Sequence, residues 1–378
     1  MSDKKLRIAM LGHKRIPSRE GGVEIVVAEL ATRMCAKGNL VTCFNRRGHH
    51  VGGADFDIRP QKEYQGVRLK NVWTLDKKGL AAITASFTAA VAAAFGKYDI
   101  VHFHAEGPCA MMWIPKLFGK TCVATIHGLD HQRAKWGKIA SWYIRTGEKC
   151  AVRFSGQIIV LSESAKNYFR ETYGRETVVI PNGVARPEPA CAREIINQFG
   201  LQKDEYILFL GRIVPEKCVH HLVEAFGSVN TDKKLVVAGE ASDSQDYADE
   251  LKRLAEGDPH IIFTGFVQGR LLEELLSNAY AYVLPSAVEG MPISLLEAMS
   301  YGNCCLTSDI PECADVIGDN GLTFKQGSIS ELSKMLQRLC DEPDTVAWYK
   351  QNAADYICNK YSWDDVTDRT LELYKGKK

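Results

Sequence analysis

The sequence predicts an α/β protein with two Rossmann-like domains, each built on a doubly wound parallel sheet. Short runs of β-branched residues alternate with helical patterns along the chain, which is typical of parallel α/β architecture. The alternation stops at a turn-rich seam, Ile180-Pro181-Asn182-Gly183 with further prolines at 187 and 189, and then starts again. The length of 378 residues also suits two domains better than one.

The predicted elements follow this alternation. In the first half we expect helices at 23–37, 80–95 and 139–154, and strands at 7–11, 40–44, 99–104, 121–127 and 157–161. In the second half helices separate strands at 206–210, 235–238, 261–264, 281–284 and 304–307. A last amphipathic helix has Trp363, Val366, Leu371 and Tyr374 on its apolar side. The predicted domains are therefore 1–185 and 186–358, and residues 359–378 form a helix that crosses back to the first domain.

Composition narrows the class of protein. Hydrophobic residues make up 46% and charged residues 25%, which excludes a disordered, collagenous or multi-span membrane chain. The uncharged segment 80–95 is shorter than a bilayer span and rich in alanine, so we expect a buried crossover helix there. The first residues lack a secretory apolar region, and the twelve cysteines show no zinc-ligand spacing. We therefore expect a cytoplasmic protein with reduced thiols.

Charge differs sharply between the halves. Residues 1–185 hold 28 Lys and Arg against 15 Asp and Glu, whereas residues 186–378 hold 19 against 31. The basic half could face nucleic acid, anionic lipid or a phosphorylated ligand, or it could simply attract the acidic half. No nucleic-acid-binding motif accompanies the basic residues, so we expect no nucleic-acid partner.

The segment after the strand at 281–284 contains the largest group of candidate functional residues. It places Glu289 before a predicted helix and Glu297 in about its second turn, with Gly290 and Met291 leading to Pro292. The free backbone N–H groups of Ile293 and Ser294 at such a helix start suit a diphosphate, and the carboxylates suit hydroxyl groups on either side. The alternative is a pair of solvated acids on a helix surface.

Three further segments follow strands. Arg212 and Lys217 stand five residues apart across a proline turn and can converge on one phosphate cluster. In the first half Gly21 and Gly22 open a helix beside Arg15, so backbone N–H groups can approach an anion; the alternative is a flexible loop. His127 ends a strand and is followed by Asp130; its alternative is a satisfied core histidine.

In these motifs the sequence resembles the retaining glycosyltransferases of family 4, which have the two-domain GT-B fold. Arg212…Lys217 is similar to their phosphate-binding motif, and Glu289…Glu297 is similar to their E-x7-E motif. The first half resembles a subgroup of bacterial rhamnosyl- and hexosyltransferases of surface-polysaccharide assembly. The segments that carry this further resemblance are 15–24 and 125–130, whereas 263–267 and 308–312 in the second half are similar to segments that line the donor site of the family.

The resemblance implies a role for each residue. Arg212 and Lys217 would stabilise the diphosphate leaving group, Glu289 would contact hydroxyls of the donor sugar, and Glu297 would bind the ribose. His127 would approach the donor sugar, while Gly21 and Gly22 would shape the loop over the diphosphate. Gly290, Met291, Ile293 and Ser294 would line the donor site, and backbone near Phe266 and Val267 would pair with the base. Arg15 and Asp130 are candidates for contact with the acceptor.

The resemblance implies a front-face substitution, in which the leaving phosphate helps to deprotonate the acceptor. The sequence shows no carboxylate that is evident as a nucleophile for double displacement. Catalysis would then rest on positioning and on charge stabilisation by Arg212 and Lys217. We expect no cofactor and no metal requirement, because no Asp-x-Asp triplet or cluster with ligand spacing accompanies these residues.

The basic half contains one candidate membrane surface. Residues 131–154 interleave cationic side chains with Trp136, Trp142, Tyr143 and Ile144, which fits an anionic membrane surface. The alternative is that Trp142 and its neighbours belong to the core and the charges form a solvated face.

The sequence therefore predicts transfer of a hexose or deoxyhexose from a nucleotide-diphosphate sugar, most simply a UDP-sugar, to a glycan or lipid-linked acceptor. Two alternatives stay open at this point: another GT-B enzyme such as an epimerase or phosphorylase, and a non-catalytic protein that binds nucleotide sugars. Turnover without acceptor would distinguish an epimerase.

Overall fold

The computed structural model describes residues 5–49, 61–77, 79–129, 137–241 and 244–376. The chain divides into unit 1, which comprises Met1–Gly183 with Trp363–Lys378, and unit 2, which comprises Val184–Ser362. The predicted division at 186 lies two residues beyond the start of unit 2. The predicted start of the returning segment at 359 falls inside a helix that ends at Lys360, so the return begins at Trp363 instead.

Unit 1 contains one sheet of eight strands in the order β3-β4-β2-β1-β5-β6-β7-β8. All neighbouring strands are parallel except β3 and β4, which form an antiparallel pair. The strands are β1 Arg7–Leu11, β2 Leu40–Arg46, β3 Glu63–Tyr64, β4 Val67–Val72, β5 Ile100–His104, β6 Thr121–Ile126, β7 Gln157–Val160 and β8 Val178–Val179.

Helices cover both faces of this sheet. With helices numbered in chain order, unit 1 has α1 Gly22–Ala36, α2 Leu80–Phe95, α3 Glu106–Cys109, α4 Trp113–Leu117, α5 Lys138–Phe154, α6 Glu163–Tyr173 and α15 Trp363–Tyr374. Val101 and Phe103 of β5 pack in one core with residues of α2 to α6. His102, which points to the other face, bonds through Nδ1 to the Tyr374 hydroxyl of α15 at 2.5 Å. Helices α2 to α6 therefore lie on one face, and α15 lies on the other with α1, which it contacts.

Unit 2 contains one parallel sheet of six strands in the order β11-β10-β9-β12-β13-β14. The strands are β9 Tyr206–Leu210, β10 Lys234–Ala238, β11 Ile261–Gly265, β12 Ala281–Leu284, β13 Cys304–Ser308 and β14 Leu322–Phe324. This is the order of a doubly wound sheet, and the direction of winding reverses between β9 and β12.

The helices of unit 2 are α7 Glu194–Phe199, α8 Val219–Phe226, α9 Gln245–Leu254, α10 Gly269–Asn278, α11 Ile293–Ser300, α12 Pro311–Ile317, α13 Ile329–Asp341 and α14 Pro343–Lys360. Five of them, α8 to α12, connect successive strands of the sheet, whereas α7 precedes β9 and α13 and α14 follow β14. Buried Glu274 of α10 accepts backbone N–H bonds from Arg193, Glu194 and Ile195, which satisfies the first turn of α7.

The predicted strands and helices all occur, and their bounds differ by at most two residues except in the returning helix, which runs Trp363–Tyr374 instead of 359–378. Helix α2 is the crossover helix predicted at 80–95: its alanines pack on the sheet. Among the described residues, no helix is both long enough and apolar enough to span a bilayer. The sequence analysis missed β3, β4, β8 and β14. Three of these are only two or three residues long, and Arg68 and Lys70 interrupt the apolar pattern of β4.

Candidate active site

In unit 2, Lys217 and Glu289 meet at the carboxyl edge of the sheet. The Lys217 ammonium donates a hydrogen bond to Glu289 Oε1, and the two side chains are only 13% and 9% exposed. Ser286 Oγ donates to the same carboxylate oxygen at 2.6 Å. The loops that carry the pair are also joined through their backbones, because the N–H of Ala287 donates to the carbonyl of Glu216 at 2.9 Å. The pair therefore bridges the loops that follow β9 and β12, where the sheet reverses its winding.

Arg212 lies in the same loop as Lys217. The loop leaves β9, and the N–H of Ile213 donates to the carbonyl of Glu240 at 3.0 Å; a 3-10 turn at Pro215–Lys217 follows. Arg212 is half-buried, and it has no ion-pair partner within the described parts of the chain. The loop thus carries one paired cation and one unpaired cation.

The start of α11 lies beside this pair. Pro292 is the N-cap of the helix, and the N–H groups of Ile293 and Ser294 in its first turn have no intrahelical acceptor. The Ser294 hydroxyl lies 2.9 Å from the Tyr282 hydroxyl, so its side chain is held by β12 while its backbone N–H remains at the helix start. A helix start with its N–H groups uncommitted attracts an anion.

The remaining predicted residues of unit 2 lie on the loops around this helix. Glu297 is half-buried and stands one turn after Ile293 on the same helix. Phe266 and Val267 follow β11, two strands away from β9, and the Val267 side chain is buried. Gly290 is half-buried, and Met291 is buried beside it.

Gly239 lets the loops after β9 and β10 approach each other closely. Its φ is +145°, and a Cβ atom built there would lie 1.8 Å from the carbonyl oxygen of Gly211. No side chain fits at that separation. The close approach fixes the start of the segment that carries Arg212.

In unit 1, two histidines meet at the carboxyl edge of the sheet. His104 ends β5 and His127 follows β6, and His104 Nδ1 lies 3.1 Å from His127 Nε2. The two rings are stacked, with centroids 5.3 Å apart. Burial, with a smaller contribution from the neighbouring histidines, lowers the pKa of His104 well below its ordinary value of 6.5. His104 is therefore neutral at physiological pH, and one hydrogen bond joins the two rings.

The loop after β1 packs against this pair. Gly12 has a φ of +103°, and a Cβ atom there would lie 2.1 Å from the carbonyl oxygen of His104. His13 is buried, with Nε2 3.1 Å from Asn45 Oδ1, and the same amide holds the backbone of Ile16 through bonds of 3.2 and 3.0 Å. Burial also lowers the pKa of His13.

The predicted glycines stand where this loop enters α1. Gly21 is the N-cap of α1, and Gly22 is its first residue. The carboxylate of Glu24, in the first turn, accepts the N–H of Lys14 at 2.7 Å. Arg15 Nε lies 3.2 Å from Glu20 Oε2, and Arg15 also donates to the carbonyl of His49. Arg15 is thus bonded both to its own loop and to the segment after β2. Asp130 lies outside the described residues.

Sequence reasoning missed His104 and His13. Both stand at or just after the carboxyl end of a strand, which is the position that singled out His127. Applying the same rule to the His102-x-His104 pattern of β5 would have found His104. No group of three or more potential metal-ligating side chains gathers in the part of the chain that the structure describes.

Two Rossmann-like domains of this kind make up the GT-B fold, and the family matches show that the chain is a glycosyltransferase. Residues 20–186 match the family "Glycosyltransferase Family 4", and residues 192–356 match "Glycosyl transferases group 1". The chain is therefore a glycosyltransferase whose N-terminal and C-terminal halves each match a glycosyltransferase family.

Similar proteins agree with this assignment. The chain is 25% identical to an uncharacterized glycosyltransferase of Methanocaldococcus jannaschii, with 98% of each chain covered. It is 27% identical to alpha-maltose-1-phosphate synthase of Mycobacterium tuberculosis, covering 98% of this chain and 99% of the relative. The structure of Anabaena Alr3699/HepE in complex with UDP and glucose superimposes with a TM-score of 0.79 at 18% identity, covering 98% of this chain and all of that one.

Proposed function

We propose that this enzyme transfers a hexose or deoxyhexose from a UDP-sugar to a glycan or lipid-linked acceptor in the synthesis of a surface polysaccharide, with retention of the anomeric configuration. One observation carries the donor half of this proposal: Lys217 and Glu289 are paired beside the start of α11, at the reversal of the unit 2 sheet. Ligands of doubly wound sheets bind at this point.

The donor diphosphate fits the charges at this edge. Arg212 offers a planar guanidinium without an ion-pair partner in the described chain. The first N–H groups of α11 have no intrahelical acceptor and can therefore bind an anion. Lys217 supplies a second cation when the diphosphate competes with Glu289 for its ammonium. The same competition frees Glu289 to accept hydrogen bonds from hydroxyls of the donor sugar.

The nucleoside end is assigned to the neighbouring loops. Glu297 lies one helical turn beyond the diphosphate site and accepts hydrogen bonds from the ribose hydroxyls. The backbone at Phe266 and Val267 forms hydrogen bonds with the base. The Anabaena structure was solved with UDP and glucose, and this supports the choice of UDP.

Unit 1 is assigned to the sugar and the acceptor. His127 contacts the donor sugar, with its ring oriented by the hydrogen bond from neutral His104. Gly21 and Gly22 shape the loop over the diphosphate, and Arg15 and Asp130 contact the acceptor.

The reaction proceeds on the front face of the sugar. The bond from the anomeric carbon to the diphosphate oxygen breaks, the acceptor oxygen bonds to the same face, and the departing phosphate takes the acceptor proton. Arg212 and Lys217 stabilise the charge that develops on the diphosphate, as preorganised cations do in other phosphate-leaving reactions. Because both cations belong to the protein, the proposal includes no metal and no cofactor.

Product analysis tests the proposal. Purified enzyme is incubated with UDP-glucose, UDP-galactose, UDP-N-acetylglucosamine or dTDP-rhamnose and a set of lipid-linked and free glycan acceptors, and the new linkage is read by NMR. We expect one donor to give a product with its anomeric configuration unchanged, and Glu289→Gln to abolish it while exposed Glu256→Gln does not. An inverted product would contradict the mechanism, and turnover of donor without acceptor would contradict transfer.

A further inference from the structure

Helix α2 is apolar on both of its sides. Its buried side is formed by alanines, including Ala85, Ala89 and Ala93, which pack on the sheet. Its outer side presents Phe87 and Phe95, which are 47% and 72% exposed, while Ile83 and Val91 in the same row are half-buried and Val91 packs against the core. A helix on a water-facing surface normally has charged or polar residues on its outer side. The two exposed phenylalanines depart from this pattern.

The apolar surface continues from α2 onto α4, and α5 carries further exposed apolar residues on the same face of the sheet. The rings of Phe95 and Phe118 are in edge contact, with centroids 4.6 Å apart, and α4 also contacts α5. We call this surface the aromatic face. It comprises the exposed residues Phe87, Phe95, Trp113, Leu117, Phe118, Ile139 and Trp142. Trp142 is 68% exposed and lies outside the core, whereas Ile144, which the sequence analysis also assigned to this surface, is buried. Contiguous apolar surfaces of this kind mark an interaction site.

The charge around the aromatic face has one sign. Exposed cations lie on all three helices or directly after them, at Lys97, Lys116, Lys138, Arg145 and Lys149. Residues 79–98 and 107–129 contain no Asp or Glu. The acid within α5, Glu148, is buried. In these stretches of the described chain, no exposed carboxylate offsets the cations.

We propose that the aromatic face docks on an anionic membrane surface. Aromatic and aliphatic side chains enter the boundary between headgroups and acyl chains, while lysine and arginine reach the anionic headgroups. A second copy of this chain fits less well, because a two-fold interface would bring cation against cation. The proposal deepens the proposed function, since it supplies the surface on which a lipid-linked acceptor is presented.

The position of α5 connects this surface to the candidate site. Helix α5 leads from β6 to the parallel strand β7, so its first turn, with Ile139 and Trp142, lies on the side of the carboxyl edge. His127 lies at the same edge, after β6. Phe95 and Phe118 precede β5 and β6 and therefore lie toward the opposite edge. The aromatic face spans the domain from one edge of the sheet to the other, and one of its ends lies on the side of His127.

Vesicle flotation tests the proposal with the full-length protein. One vesicle set is phosphatidylcholine, and the other adds phosphatidylglycerol. We expect wild type to float with the anionic set alone. The Lys116→Glu/Lys149→Glu variant should lose at least about tenfold in affinity, because each lysine near such a surface contributes a several-fold gain. Phe87→Gln/Leu117→Gln should also weaken flotation.

Matched variants in unit 2 serve as controls. Lys203→Glu/Lys252→Glu reverses two exposed lysines, and Trp348→Gln replaces an exposed aromatic residue; both should float as wild type does. Wild type that fails with both vesicle sets, or that floats equally with both, contradicts the proposal. A dimer in light scattering that Leu117→Gln dissociates, without flotation, would assign the aromatic face to a second copy. Wild type that floats but transfers no sugar would overturn the proposed function alone.

Discussion

The Lys217 ammonium is hydrogen-bonded to the Glu289 carboxylate, and the bond joins the loops that follow β9 and β12, where the unit 2 sheet changes its direction of winding. Seventy-two residues separate the two in sequence, and both side chains are nearly buried. In the proposed reaction, each needs a partner on the donor: the ammonium needs the diphosphate, and the carboxylate needs a hydroxyl. The pair keeps both groups compensated and positioned until the donor replaces their mutual bond.

Removing either member of this pair should leave the other charge uncompensated. We predict that Lys217→Met lowers kcat by about 100- to 1000-fold, because a preorganised charge on the leaving group is lost. It should also lower the free energy of unfolding by about 1–3 kcal/mol, since Glu289 is left nearly buried without its cation. Steady-state kinetics and urea unfolding measure the two effects, with exposed Lys203→Met as control. A kcat within twofold of wild type would remove Lys217 from the mechanism.

Chelation should not affect the enzyme. Arg212 and Lys217 supply the positive charge that a divalent ion supplies elsewhere. We therefore predict full activity in excess EDTA. Lost activity that Mg²⁺ or Mn²⁺ restores would contradict this prediction.

His104 should act by positioning His127. We predict that His104→Phe, which fills the volume but cannot bond to His127, lowers kcat by about 10- to 100-fold through misplacement of that ring. His104→Asn, which retains a polar group, should recover part of the loss. A merely structural role would lower the melting temperature in both variants without this difference in kcat. His220→Phe in unit 2 serves as the control.

Buried neutral histidines should make the protein sensitive to acid. Burial lowers the pKa of His102 to about 3 and that of His104 well below 6.5, so both bind protons in the unfolded chain before they do so in the native one. The free energy of unfolding should therefore fall as the pH drops below 6.5, by about 1.4 kcal/mol per pH unit for each histidine. Urea unfolding across this range measures the slope. His102→Gln should reduce it, and an identical slope in that variant would contradict the assignment.

Gly12 should tolerate no side chain. Gly12→Ala should cost at least about 2 kcal/mol of unfolding free energy, because the new Cβ collides with the carbonyl of His104 and the φ is positive. Gly174 also has a positive φ but no atom within 4 Å of a Cβ, so Gly174→Ala should cost only about 1 kcal/mol. Equal costs would show that the collision is relieved without penalty.

The regular elements were predictable because hydrophobic period and turn residues specify them locally. The places of Arg212, Lys217 and Glu289 in unit 2 were predictable for a similar reason, since these residues follow strands that pattern alone identifies, whereas their roles stay a prediction. Contacts between distant segments were not predictable: nothing local shows that Lys217 bonds to Glu289 or that His104 reaches His127. The outer stripe of α2 was also hidden, because an apolar helix pattern does not show which side the sheet covers.

Nucleotide binding tests the central claim most directly. Thermal shift or calorimetry measures the binding of UDP, GDP, ADP and dTDP to the wild type, to Glu297→Ala and to Arg212→Ala. We predict that UDP alone stabilises the wild type, by about 2.7 kcal/mol at a hundred times its dissociation constant. Both variants should lose this stabilisation, whereas Glu256→Ala should retain it. No stabilisation by any nucleotide, or stabilisation that survives in both variants, would contradict a donor site at the carboxyl edge of unit 2.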